Sequence, residues 1–67
     1  MAITVNGTLR EVQTPCSLHA FLVQHDVNPL LVAVEYNGDI VRPERFDEIA
    51  LQTGDQLEIV HMVGGGA

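Results

Sequence analysis

Lysine is absent from this 67-residue chain, and three arginines stand against nine acidic residues for a net charge of −6. Without lysine there is no Schiff-base chemistry and no side-chain amine for attachment. So acidic a balance also excludes a positive surface that tracks phosphates, and no nucleic-acid partner is expected. A partner that meets the chain through charge must bring a basic face. One cysteine, Cys16, excludes an internal disulfide framework and fits a reducing compartment, so a cytoplasmic location is expected. No apolar run approaches the ~20 residues needed to cross a bilayer, and the opening MAITVNG has no basic or continuous apolar region, so neither a membrane association nor export is expected.

Catalytic groupings are missing as well. Asp47 and Glu48 are adjacent and point apart on a helical turn, so they form no general acid and base pair. Cys16 has no Cys-x-x-Cys partner and reads as a small semi-buried hydrophobe. His19 and His25 fall on different sides of a helix and His61 lies far along the chain, so their spacing assembles no metal site; His61 alone is a candidate partner contact. Gly64, Gly65 and Gly66 make no phosphate loop, because neither a helix nor a lysine follows them. The chain is expected not to be an enzyme and to bind no cofactor of its own.

With 46% hydrophobic and 18% charged residues the chain belongs to the globular class, and at this length it holds one core that buries only about 60% of the unfolded surface. Ala2–Val5 and Thr8–Val12 flank Asn6-Gly7 as a hairpin, with a bulge or an early strand end allowed near Val12. Ser17 is placed to cap a two-turn helix whose stripe is Leu18, Phe21 and Leu22, and which Asp26, Asn28 and Pro29 end. Leu30–Tyr36 reads as the central strand, Ile40-Val41 as a short one after Asn37-Gly38, and Pro43–Phe46 as a helical turn. In the last strand, Gln56–Val63, Leu57, Ile59 and His61 alternate with Glu58, Val60 and Met62. A polar His61 in the inward set means either a mislabelled face or a place at the sheet's edge.

One helix can cover only one face of such a sheet. The expected fold is α+β, a β-grasp roll with a mixed sheet of four or five strands, in which the first and last strands can pair in parallel. The expected organisation is a domain over 1–63 and a flexible glycine-rich tail over 64–67.

A glycine tail has a use when something grips it. Extended at about 3.3 Å per residue, Val63–Gly66 carries a carboxylate roughly 10 Å from the body. Glycine adopts backbone conformations costly to other residues and leaves both faces of its carbonyl carbon open to attack. A carboxylate is a poor electrophile until adenylation supplies a leaving group that a sulfur nucleophile can displace.

Four segments carry a resemblance across nearly the whole chain: VNG at Val5–Gly7, SLHAFL at Ser17–Leu22, VAVEYNGDIVRPERF at Val32–Phe46 and GDQLEIVHMVGGG at Gly54–Gly66. Together they resemble the ThiS family of ubiquitin-like β-grasp sulfur carriers in thiamine biosynthesis. The resemblance implies that the carboxylate of the last family glycine, here Gly66 beside Gly65, is adenylated by a ThiF-type adenylyltransferase using ATP and magnesium. It implies a thiocarboxylate formed with sulfur from a cysteine persulfide and delivered to the thiazole synthase ThiG. Ala67 departs from the family ending and is expected to be removed or foreign to the natural chain. The uncovered sheet face is expected to dock the activating enzyme, with Val60 and Met62 giving apolar contact and Glu58 and Asp55 giving charge. Two other readings stay open: a MoaD-like carrier for molybdopterin, and a TGS-like β-grasp binding module without a reactive end.

Overall fold

Two Asn-Gly pairs set the hairpins. In the computed structural model, which describes residues 1–61, Asn6 and Gly7 have φ of 50° and 81°, and Asn37 and Gly38 have 50° and 92°. Positive φ at both central residues gives the two-residue turn whose twist matches that of the flanking strands. The first turn joins β1 (Ala2–Val5) to β2 (Thr8–Glu11), and the second joins β3 (Val32–Tyr36) to β4 (Asp39–Val41). Strand β2 ends early without a bulge, and Val12 then turns in to be buried while its N–H bonds the Met1 carbonyl. Strand β5 (Gln56–His61) completes a sheet of order β2-β1-β5-β3-β4, parallel to β1 and antiparallel to β3.

Helix α1 (Leu18–Gln24) starts where Ser17 Oγ accepts a hydrogen bond from the Ala20 N–H at 3.0 Å. It stops before Pro29 is reached. Asp26 takes the left-handed conformation at φ 59°, its N–H bonds the Val23 carbonyl and that of Val27 bonds the Leu22 carbonyl. These are the two bonds of a Schellman stop, with aspartate where glycine is commonest. Leu18, Phe21 and Leu22 are buried against Ile3, Val32, Val34, Phe46 and Leu57, and all eight side chains are at most 2% exposed.

Two expectations are corrected. Leu30 and Leu31 do not belong to a strand: Asn28 Oδ1 accepts from the Leu30 N–H, Pro29 opens a 3-10 turn over Pro29–Leu31, and both leucines are exposed. The centre of the sheet is β5 rather than β3, because β5 enters between the two hairpins. Phe46 is fully buried, within a second 3-10 turn over Pro43–Glu48.

Asp55 is a third correction. Expected to be a surface charge, it is 7% exposed and turned inward. Its carboxylate accepts hydrogen bonds from Tyr36 Oη at 2.7 Å, from Asn37 Nδ2 at 3.1 Å and from the Gln52 N–H at 2.7 Å. Its carbonyl accepts from the Thr4 N–H, so one residue ties β1, the end of β3 and the turn before β5. Burial pushes its carboxyl up, but the bonds from Tyr36, Gln52 and Asn37 together outweigh burial and hold it below the ordinary carboxylate value. Tyr36 is pushed the other way, to about 12, first by its hydrogen bond to Asp55, then by burial and the neighbouring charge.

Asp55→Ala leaves three donors without their acceptor, and we expect it to cost about 2–4 kcal/mol in urea unfolding. The pH profile carries the same signature. The Asp55 contribution is full above the unfolded carboxyl value of about 4 and is lost as pH falls from there through the lower folded value. The Tyr36 contribution is full below about 10 and is lost as pH rises through about 12. Asp55→Asn should flatten the acid limb; an unchanged acid limb would remove Asp55 from this role.

Candidate functional site

Residues directly opposite in register share a face of the sheet, so the pairings assign every strand residue to the helix side or the open side. Leu57, Ile59 and His61 lie on the helix side, and burial falls along β5 from Leu57 at 1% exposure through half-buried Ile59 to exposed His61. The inward set is therefore labelled correctly. His61 is polar without penalty because it lies at the end of a central strand beyond the main core, not on an edge strand.

The open side carries Val60 and Glu58 of β5, Glu35 of β3 and Ile40 of β4. Val60 is 60% exposed and Ile40 is 74% exposed, with Leu9 of β2, 71% exposed, on the same side. Glu58 stands directly opposite Glu35, and Ile40 is the next residue across the sheet. Two carboxylates paired across neighbouring strands repel, and among the described residues neither forms a salt bridge with an arginine. The arrangement is an acidic pair bordered by exposed aliphatic side chains, suited to a basic, partly apolar surface.

Among the expected site residues, Val60 and Glu58 share this open face, while Asp55 is withdrawn into the fold. Met62, Gly65 and Gly66 lie outside the described residues, as do the tail over 64–67 and positions 62 and 63 of the expected domain. Glu35 and Ile40 were missed. The signal for Glu35 was present, since it is the one charged residue in Val32–Tyr36 and alternates away from Val34 and Tyr36. Cys16 is buried, with its Sγ donating to the Ser17 carbonyl. No grouping of three or more His, Cys, Asp or Glu able to hold a metal occurs among the described residues, and no helix there is long and apolar enough to cross a membrane.

The mixed five-stranded sheet gripping one helix, with parallel β1 and β5 at its middle, defines the ubiquitin-like β-grasp class. A crystal structure of the thiamine biosynthesis protein ThiS from Geobacter metallireducens superposes with a TM-score of 0.82 at 32% identity, covering 98% of this chain and all of that one. The model of the ThiS family matches residues 3–66, and the chain belongs to the ThiS family. The sulfur carrier protein ThiS of Bacillus subtilis is 38% identical over 50 residues, covering 75% of this chain and 76% of that protein. A thiazole synthase of Paramagnetospirillum magneticum is 36% identical over 67 residues, all of this chain but 21% of that protein. The chain thus spans about a fifth of the length of the thiazole synthases it matches.

Removing one of the two facing carboxylates should relieve their repulsion. We expect Glu35→Gln to stabilise the fold by roughly 0.2–1 kcal/mol at low salt, and to lose most of that gain at high ionic strength. Thermal melts at two salt concentrations check it, and a destabilised variant would show that the pair is held by something favourable.

Proposed function

We propose that this chain is a sulfur carrier for thiazole formation in thiamine biosynthesis, and that Gly66 bears the sulfur. The observation that carries the reading is the extent of the family match, which runs from residue 3 to Gly66 and leaves out Met1 and Ala2 at one end and Ala67 at the other. The match to part of a thiazole synthase supports a place in the same pathway. The body acts as a handle, and the chemistry takes place in other proteins.

With Ala67 removed or foreign to the natural chain, the Gly66 carboxylate attacks the α-phosphorus of ATP in a ThiF-type activating enzyme, with magnesium on the phosphates. Pyrophosphate leaves and an acyl adenylate remains. The terminal sulfur of a cysteine persulfide then attacks the acyl carbon, the C–O bond to AMP breaks, and an acyl disulfide forms. A second thiol cleaves its S–S bond, is itself oxidised to a disulfide, and leaves a thiocarboxylate for the thiazole synthase ThiG. Glycine at this position keeps the acyl carbon open to attack, and Gly65 lets the backbone follow a narrow channel.

Docking of the activating enzyme is assigned to the open face. Val60 and Ile40 give apolar contact, and Glu58 with Glu35 attracts a basic surface. Met62, which follows Val60 by two positions in the sequence, is assigned to the same apolar contact. A basic partner would relieve the repulsion that the facing glutamates carry in the free protein.

Incubation of a chain ending at Gly66 with a cognate activating enzyme, ATP and a sulfide source should exchange one terminal oxygen for sulfur, read by intact mass. Deleting Gly65–Ala67 should abolish the exchange without unfolding the domain; exchange in the deleted chain would overturn the assignment. Separately, Val60→Asp should fold normally yet slow adenylation about tenfold, roughly 1.4 kcal/mol of lost docking. Adenylation at the normal rate would remove the open face from this role.

A further inference from the structure

On the helix side, where α1 stops and β5 reaches His61, a hollow of about 240 Å³ opens. Phe21 and Ile59 are among its walls, and Arg10, His25 and His61 line it from three separate elements. Arg10 belongs to edge strand β2 and stands opposite Ile3, which puts it on the helix side of the sheet. His25 caps α1, and His61 ends β5. These are three of the six Arg and His side chains in a chain of net charge −6. Among the described residues no carboxylate lines the hollow and none pairs with Arg10. Asp26 follows His25 in the chain but is not part of the lining. An inward charge on an edge strand guards against edge pairing, which accounts for Arg10 but for neither histidine.

His25 has a defined polarity. Its Nδ1 lies 3.0 Å from the Phe21 carbonyl, which can only accept, so Nδ1 carries the hydrogen. In the neutral ring Nε2 is then an acceptor, and it becomes a donor only on taking a proton. An anion entering the hollow meets one permanent charge at Arg10 flanked by two imidazoles.

We infer that this hollow receives a carboxylate on an Asp or Glu side chain of the protein that grips the segment beyond β5. The single fixed charge of Arg10 matches a monoanion better than a phosphate dianion. The hollow also adjoins the C-terminal end of β5, so a protein that engages the segment following in the sequence is brought near it. The inference takes from the proposed function only that another protein grips that segment; it does not need the sulfur chemistry, and its test uses the free chain.

The full chain, isotopically labelled, is titrated by NMR with a short blocked peptide bearing one glutamate, with its glutamine counterpart, and with inorganic phosphate. The glutamate peptide should shift the side-chain signals of Arg10, His25 and His61 saturably. Arg10→Gln should abolish the shifts. The double variant His25→Gln/His61→Gln should bind the glutamate peptide more weakly than the parent chain while remaining saturable, with its amide spectrum confirming the fold. Equal response to the glutamine peptide, shifts located elsewhere, or phosphate binding as tightly as the glutamate peptide would overturn the inference.

Discussion

Asp55 stands where the chain leaves a turn and enters the central strand, and its carboxylate accepts hydrogen bonds from a tyrosine hydroxyl, an asparagine amide and a backbone N–H. The surrounding bonds are reciprocal. Asn37 donates to Asp55 and accepts from the Gln56 N–H, while the Thr4 N–H bonds the Asp55 carbonyl. The N-terminal hairpin and the β3–β4 hairpin share no strand pairing, so β5 must join them. The clamp fixes the register at which β5 enters. A one-residue slip would send Leu57 to solvent and Glu58 into the core.

That register decides how the face and the strand end are used. It places Glu58 opposite Glu35 and Val60 opposite Ala33, and it brings His61 to the end of the sheet next to the turn that stops α1. The pair of facing glutamates lowers the stability of the free domain, and a small domain has little stability to lose. A feature that weakens the fold while presenting concentrated negative charge makes sense at an interface, where a partner's cations complete it.

The local features of this fold were legible because short-range chemistry dictates them. Asn-Gly forced both hairpin turns, Ser17 capped the helix, and the Leu18, Phe21 and Leu22 stripe marked its buried face. What escaped depends on distant pairing. Gly54-Asp55 has the composition of an exposed turn, and nothing nearby in the chain shows that Tyr36 and Asn37 come back to meet its carboxylate. Leu30 and Leu31 carry strand-like side chains, but the cap at Asn28 and the fixed φ of Pro29 take them into a 3-10 turn. His25 and His61 are separated in sequence by two 3-10 turns and the β3–β4 hairpin, so only the topology could bring them to one hollow. Of the open face, Val60 and Glu58 followed from strand alternation, whereas Ile40 needed the β3–β4 register.

The two surfaces differ in sign, and that difference has a mechanical consequence. A domain that docks through a single acidic patch can rotate about the patch normal at little energetic cost, because such attraction is weakly directional at exposed sites. A second contact of opposite sign removes that freedom, since any rotation that preserves the first separates the charges of the second or brings like charges together. The glutamates lie on one face of the sheet, while the arginine and histidines lie on the other side, at the end of β5. A partner that satisfies both must reach around that end. Its orientation is then set relative to the axis of β5, the strand that precedes the glycines in the sequence.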